Sequence, residues 1–230
     1  MFNLILAESA LELVPSAIFG HPSVIKHAQR RDKGPDEILL DRSYHHSAMI
    51  KLKNASKRGR PDIVHFCLLE ALGSPLNKAG LLRTFVHTIN DYIIFINPEI
   101  RLPRNYDRFV GLIEQLYQNG KIPEKGHTLL EIHKGSLNSL IKKIDSDYVV
   151  AFTRLGKPKT MDEVAFSIRE KKSLVIIVGG FPHGHFSNSV IELANESISV
   201  DKAPLEAWTV VSRVVYEIES KIGLCKERLE

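Results

Sequence analysis

Cysteines and long apolar runs are both scarce in this sequence, and each scarcity excludes a class of protein. The 230 residues contain two cysteines, Cys67 in a helical pattern and Cys225 in the charged tail, which are too few for a disulfide framework. No apolar run approaches the length of a membrane span. The opening letters MFNLILAES lack the basic segment and the cleavage site of an export signal. We therefore predict a reduced, cytoplasmic protein with no membrane partner.

The spacings typical of metal sites and nucleotide-binding motifs are also missing. His183 and His185, like His45 and His46, have no cysteine or carboxylate at ligand spacing, so we predict no metal. The glycines of the run 179–184 follow a late strand, whereas a dinucleotide-binding fingerprint belongs on the first βα turn. A P-loop lysine is absent as well.

What remains is an ordinary globular composition with an alternating pattern of elements. Hydrophobic residues make up 43% of the chain and charged residues 25%, which is enough to build a real core. Predicted strands alternate with predicted helices, without an internal repeat, a low-complexity tract or a linker. This alternation predicts an α/β fold in which helices cover a mostly parallel sheet. We expect residues 1–230 to form a single domain.

Hydrophobic periodicity and capping residues place the individual elements. The predicted strands are 2–7, 82–87, 92–96, 128–132, 148–152 and 174–178. The predicted helices are 21–31, 44–52, one that begins at Pro61, one capped by Asn105 and closed by Gly120, a short one before Lys142, 161–170 and 205–222.

The apolar run 174–178 and the segments after it form the strongest candidate for a ligand site. This run ends in a loop rich in glycine, 179–184, and the later apolar segment 198–200 ends in a loop that contains Pro204. Open α/β sheets bind ligands at the edge where such strands end. Glycine lets the backbone approach a bound molecule where a Cβ atom would clash. We therefore predict that the chemistry lies near the C-terminus.

Three arginines surround a predicted helix start in the run 101–108. A cation at that end of a helix opposes the helix dipole at a cost of about 0.3–1 kcal/mol, so helix stability does not explain Arg108. Arg104 and Arg108 lie four residues apart and can reach one phosphate, which a planar guanidinium group binds with two hydrogen bonds. The net charge of +4 permits a nucleic-acid partner. For a generic chain, however, a solvated face with Asp107 as the counter-ion is favoured.

The run 57–62 is a second basic cluster, beside the helix that begins at Pro61. In the simpler interpretation, Asp62 interacts favourably with the helix N-terminus and the basic residues are solvated. In the sharper interpretation, Asp62 holds an arginine in place or accepts a proton from a substrate. The residues alone favour the simpler interpretation.

Several motifs, in their order and spacing, resemble one known family. The motifs are LILAESALELVP at 4–15, Leu40-Asp41 with His46, RPDIVH at 60–65, SPLNKAGLL at 74–82, NPEIRLPR at 97–104, DRF at 107–109, VGGF at 178–181, His183-Gly184, ISV at 198–200 and Pro204-Leu205. On these motifs the chain resembles the pseudouridine-N1-specific methyltransferases of small-subunit ribosome biogenesis, which are SPOUT (α/β-knot) methyltransferases. The likeness covers nearly the whole chain, and the short tail resembles the archaeal type.

The resemblance implies an S-adenosylmethionine-dependent enzyme that methylates N1 of a pseudouridine in a small-subunit rRNA hairpin and takes part in ribosome assembly. It implies a homodimer, a C-terminal trefoil knot and family-specific insertions in the N-terminal half. The implied cofactor contacts are Leu155, Gly179, Gly184, Ile198, Ser199, Val200, Asp201, Lys202 and Ala203. The implied RNA contacts are Arg60, Arg101, Arg104 and Arg108, with Asp62 in support. Asp62 and Arg104 are the candidates for a catalytic role.

The predicted C-terminal helix carries an apolar stripe that bears on assembly. The stripe consists of Val211, Val214, Val215 and Ile218 and exceeds what a surface helix needs, so we predict that it contributes to the homodimer. Trp208 has the same helical spacing and is predicted to be a core residue. Two other functions stay open at this point, an rRNA-binding assembly factor whose main role is non-catalytic and an unrelated α/β nucleotide-binding protein.

Overall fold

Eight strands form one mixed sheet in the part of the chain that the structure describes, which in this computed structural model is residues 1–168, 171 and 173–229. The strands are β1 (Phe2–Ser9), β2 (Leu82–Thr88), β3 (Tyr92–Ile96), β4 (Lys121–Ile122), β5 (Leu130–Lys134), β6 (Tyr148–Pro158), β7 (Leu174–Gly179) and β8 (Glu196–Ser199). Their order across the sheet is β4-β5-β3-β2-β1-β7-β6-β8. The alternating apolar pattern therefore predicts the α/β class correctly.

The two halves of this sheet differ in strand direction. β1 pairs in parallel with β2 and β7, and β6 pairs in parallel with β7 and β8. β3 runs antiparallel to β2 and β5, and β4 runs antiparallel to β5. The turn at Asn90-Asp91 is too short for a crossover, so β3 has to return beside β2. The predicted parallel arrangement thus holds for the half that contains β1, and the other half is an antiparallel extension.

Helices cover both faces of the sheet. They are α1 (Pro22–Arg30), α2 (Arg42–Met49), α3 (Pro61–Gly73), α4 (Pro75–Lys78), α5 (Tyr106–Asn119), α6 (Leu137–Ile144), α7 (Met161–Ile168), α8 (Asn188–Ile191), α9 (Ala207–Lys221) and α10 (Leu224–Glu227). Residues 169 and 170, the predicted end of the helix 161–170, lie outside the described residues. None of the helices in the described ranges is long and apolar enough to cross a membrane.

Local sequence signals explain the starts of the two helices that border the candidate site. Pro61 is the first residue of α3, where its missing N–H costs no hydrogen bond. Asn105 Oδ1 accepts the N–H of Arg108 at 3.0 Å and so caps α5. Gly120, with a φ of +75°, closes α5 by donating its N–H to Leu116 O. All of these boundaries agree with the predicted ones.

The apolar stripe of α9 is buried inside the chain, which corrects its predicted role. Val211, Val214, Val215 and Ile218 belong to the core between α9 and the sheet, and each is at most 5% exposed. The prediction that this stripe contributes to a dimer interface is wrong, because α3 and the sheet already cover it. Cys67 is buried in the same core, and both Cys67 and Cys225 are free thiols.

Candidate functional site

A cavity of about 390 Å³ lies at the carboxyl ends of the neighbouring strands β6, β7 and β8. Its volume lies within the range of about 300–1,000 Å³ that is typical of small-molecule sites. The site therefore occupies the sheet edge that the sequence predicts. Seven of the nine predicted cofactor residues line the cavity, namely Gly179, Gly184, Ile198, Ser199, Val200, Asp201 and Ala203.

The other two predicted cofactor residues, Leu155 and Lys202, do not line the cavity. Leu155 is 71% exposed because it lies in an excursion of β6. Phe152 and Lys157 both pair with Ile198, so residues 153–156 leave the ladder between them. Two residues of this excursion, Thr153 and Arg154, line the cavity. Contacts of Leu155 and Lys202 with a cofactor stay predictions.

Glycines keep the backbone segments around the cavity close together. A Cβ on Gly179 would lie 2.9 Å from the ring of Phe181, and a Cβ on Gly156 would lie 2.4 Å from the nitrogen of Ile198. Gly184 has a φ of +99°, a conformation that L side chains rarely adopt. Gly156 is not among the predicted site residues, although a glycine inside a strand is itself a signal of close backbone approach.

Arg60 connects the cavity to the start of α3. Its side chain lines the cavity, and the next residue, Pro61, opens the helix. Arg60 Nε donates to Asp62 Oδ1 at 2.8 Å and Arg60 Nη2 donates to Asp62 Oδ2 at 2.7 Å. The hydrogen bond to Asp62 raises the pKa of Arg60. Because both oxygens of Asp62 accept from the guanidinium group, the geometry favours an orienting role for Asp62 over a role as proton acceptor.

Lys57 and Arg58, the other cations of this basic cluster, also form ion pairs. Lys57 Nζ donates to Glu8 Oε2 at 2.7 Å, and Arg58 donates from Nε and Nη2 to the two carboxylate oxygens of Glu12 at 2.7 and 2.6 Å. The side chains of Lys57 and Arg58 are only 17% and 11% exposed. The interpretation of these two residues as solvated is wrong, because each pairs with a carboxylate at or just after the end of β1.

Arg101, Arg104 and Arg108 form an exposed group without counter-ions. All three are exposed, and their side chains make no ion pair or hydrogen bond with any described residue. Asp107 makes no ion pair with them within the described residues, and the alternative of a solvated face stays open. These cations remain available to phosphate oxygens, unlike Lys57 and Arg58.

The loop that carries Arg101 and Arg104 is attached to α3. His65 Nε2 donates to Pro103 O at 2.7 Å, and the His65 ring stacks on Phe109 with centroids 4.3 Å apart. Burial lowers the pKa of His65. One helix therefore positions Arg60 at the cavity and, one turn further on, the loop of exposed arginines.

Two more buried histidines support the same region and show no sign of metal binding. His45 Nδ1 accepts the N–H of Asp41 at 3.1 Å, and His45 Nε2 lies 2.9 Å from His27 Nδ1. Desolvation by burial lowers the pKa of His45 to about 4, so the neutral ring donates its Nε2–H to His27. Asp41 also accepts the hydroxyl of Tyr106 at 2.5 Å, at the first turn of α5. Across the described residues, no cluster of histidine, cysteine and carboxylate side chains is arranged to hold a metal ion.

An aromatic pair lies on the outer side of α3 and α9. Phe66 is 48% exposed, and its ring centroid lies 5.2 Å from that of Trp208. Trp208 packs against the core with part of its ring, as predicted, and against Phe66 with the rest. Tyr216, two turns further along α9, is 60% exposed.

The sequence matches one family of known proteins over most of its length. A model of the family described as EMG1/NEP1 methyltransferase matches residues 4–219. A protein of Thermococcus onnurineus (strain NA1), called ribosomal RNA small subunit methyltransferase Nep1, is 48% identical over 219 residues, which cover 95% of this chain and 98% of the relative. A protein of the same name from Thermococcus sibiricus is 50% identical over 222 residues, which cover 96% of this chain and 99% of that relative.

A solved structure agrees with the fold as well. The crystal structure of Archaeoglobus fulgidus Nep1 bound to S-adenosylhomocysteine superposes with a TM-score of 0.85. It is 38% identical in sequence, and the match covers 96% of this chain and 98% of that chain. The mixed eight-stranded sheet flanked by helices is therefore the fold of that protein.

Proposed function

The chain belongs to the EMG1/NEP1 methyltransferase family and is an S-adenosylmethionine-dependent rRNA methyltransferase. From this premise we propose that it methylates N1 of a pseudouridine in a small-subunit rRNA hairpin. One observation carries the proposal. The start of α3 contributes Arg60 to the cavity and fixes the exposed arginine loop through His65. A cofactor in the cavity and an RNA on the arginines would therefore meet at this helix start.

The cavity suits S-adenosylmethionine, which supplies, when bound, a methyl group on a sulfonium ion. Gly179 and Gly184 let the backbone approach the ligand, and Ile198 gives the wall an apolar patch for a flat ring. Arg154 and Glu206 add charges of both signs for the amino-acid end of the ligand. The segment Ile198 to Ala203 is the proposed main contact, as the resemblance implies.

We infer that the C-terminal part of the chain forms a trefoil knot. The inference rests on the resemblance to the SPOUT class, and the close approach of the excursion 153–156 to β8 supports it, since a Cβ on Gly156 would collide with backbone atoms of Ile198 and Ser197. Such a close approach of two backbone segments needs glycine on one of them.

The RNA side of the reaction needs an unstacked base and a place for its proton. A base that is read in RNA usually leaves its stack, and cations can hold the flanking phosphates. Arg101, Arg104 and Arg108 are suited to that task because nothing in the described chain pairs with them. Arg60, fixed by Asp62, can donate to a carbonyl oxygen of the base and stabilise the negative charge that remains when N1 gives its proton to a solvent water. Arg104 is the second candidate for this stabilising role.

Replacing Arg104 with alanine is expected to weaken hairpin binding about 5- to 10-fold, because one phosphate contact is lost. For the same reason, the negative slope of log K against log salt concentration should become shallower by about 0.7–0.9. Cofactor affinity should stay unchanged, because Arg104 does not line the cavity. Hairpin titrations at several salt concentrations measure both quantities. The control is Arg228→Ala, which removes an exposed arginine at the end of α10. An Arg104 variant with the affinity and salt slope of the wild type would exclude the arginine from the RNA contact.

We also propose that the protein is a homodimer that buries the aromatic surface formed by Phe66, Trp208 and Tyr216. Phe66 and Tyr216 are exposed and Trp208 is half-buried, and aromatic side chains of this kind are enriched at protein interfaces. Light scattering at micromolar concentration is expected to give twice the chain mass of 25.9 kDa. Phe66→Glu should shift the mass towards one chain, whereas Ile50→Glu, at a 71% exposed apolar residue on another surface, should not. A constant mass near 25.9 kDa for the wild type would rule out the dimer.

A further inference from the structure

The cavity wall formed by residues 181–186 is a loop that β1 and the residues after it hold at both ends. At the first end, Gly180 donates its N–H to Ala7 O at 3.0 Å and accepts the N–H of Ala10 at 2.8 Å. At the second end, Ser187 donates its N–H to Glu8 Oε1 at 3.1 Å. The wall between these two attachments includes Phe181 and Gly184.

Lys57 supports this loop between its two ends. Its ammonium group lies 4.3 Å from the ring centroid of Phe181, in a cation–π contact. Its Cε atom lies 3.3 Å from the position that a Cβ on Gly184 would occupy. The same ammonium group donates to Glu8 Oε2 at 2.7 Å. Lys57 therefore contacts Phe181 and the carboxylate that holds the end of the loop, and its side chain occupies the space beside Gly184.

Glu8 adopts a costly conformation at this place. Its φ is +49°, in the left-handed region that side chains other than glycine, asparagine and aspartate rarely occupy. The residue is 9% exposed, and each carboxylate oxygen has one partner, Ser187 N–H or Lys57 Nζ. Unfavourable backbone conformations persist where the surrounding structure enforces them, and they cluster at functional sites.

We propose that Lys57 and Glu8 are positioning residues that hold the cofactor loop 181–186 in its binding conformation. The inference rests on the placement of S-adenosylmethionine in this cavity. A loop that lacks this support becomes ordered only when the cofactor binds. The conformational entropy lost in that ordering lowers the affinity for the cofactor. Lys57 also lies three residues before Arg60, so one short segment supports the cofactor loop and presents the arginine that faces the substrate.

The neighbouring pair Arg58–Glu12 provides a matched control. It is an ion pair in the same segment that is even more buried, with side chains 11% and 1% exposed against 17% and 12% for Lys57 and Glu8. Its further hydrogen bonds go to Lys53 O and to Asn90, and neither residue lies in the cofactor loop. Breaking this pair should lower stability without changing the loop.

The test compares Lys57→Met, Glu8→Gln, the double variant and Arg58→Met at a temperature where all four are folded. Lys57→Met and Glu8→Gln are each expected to weaken S-adenosylhomocysteine binding about ten-fold or more in calorimetry. Hydrogen exchange should accelerate in residues 181–187 and remain unchanged in the rest of the sheet. The double variant should bind better than Glu8→Gln alone, because that single change leaves the Lys57 charge buried without its partner.

Arg58→Met should bind S-adenosylhomocysteine within about two-fold of the wild type, even if it melts at a lower temperature. Wild-type affinity and exchange in Lys57→Met would overturn the proposal. An equal loss of affinity in Arg58→Met would also overturn it, because general instability would then explain the effect. A wild-type protein that fails to bind S-adenosylhomocysteine would instead contradict the cofactor assignment of the cavity.

Discussion

Gly184→Val is expected to lower S-adenosylmethionine affinity by about 100-fold or more in a protein that still folds. Gly184 has a φ of +99°, and a β-branched residue there is strained by about 1–3 kcal/mol before any clash is counted. A Cβ would also come within 3.3 Å of the Lys57 side chain. A small shift of the Lys57 side chain can relieve the contact, but the backbone strain is relieved only if the loop leaves the conformation that lines the cavity. Calorimetry gives the affinity, and circular dichroism gives the melting temperature.

Gly126→Val is the control for backbone strain alone. Gly126 has a similar φ of +93°, with no atom within 4 Å of the added Cβ, and it lies between β4 and β5 rather than at the cavity. This variant should lose stability and keep its cofactor affinity. A folded Gly184→Val protein with wild-type affinity would remove the loop 181–186 from the cofactor site.

Uridine in place of the target pseudouridine is expected to reduce methyl transfer below detection. Pseudouridine is attached to its sugar through carbon, so N1 carries a proton that can be replaced, whereas N1 of uridine is already bonded to the sugar. Binding of the hairpin should change little, because the contacts proposed for Arg101, Arg104 and Arg108 are with phosphates that both RNAs share. Initial rates and affinities for two otherwise identical hairpins separate the two effects. Efficient methylation of the uridine hairpin would contradict the assignment to N1.

Local signals in the sequence determine much of this fold and the position of the cofactor cavity. Asn105 and Gly120 mark the two ends of α5, and Pro61 marks the start of α3, because capping depends on residues within one helical turn. The apolar run of β7 followed by glycines indicates the sheet edge at which the structure has its cavity. In each case the physical cause lies within a few residues of its effect.

Long-range pairing is the part that the sequence does not reveal. The sequence favours solvated side chains for Lys57 and Arg58, because their carboxylate partners Glu8 and Glu12 lie more than 40 residues earlier in the chain. The stripe on α9 is predicted from the sequence to lie in an interface, because a hydrophobic pattern shows only that a helix face is buried. The pattern does not show whether the same chain or a second copy covers that face. Leu155 is exposed because β6 leaves its ladder for four residues, and among those residues only Gly156 signals the close approach to β8.

Nucleoside mass spectrometry of a methylated hairpin tests the central proposal most directly. The protein is incubated with S-adenosylmethionine labelled in its methyl group and with a small-subunit rRNA hairpin that contains one pseudouridine, and the RNA is digested to nucleosides. We expect all of the label in 1-methylpseudouridine, and none in the RNA of the matched uridine hairpin. Label at N3 of the base, on a ribose 2′-hydroxyl or in another nucleoside would contradict methyl transfer to N1 of pseudouridine.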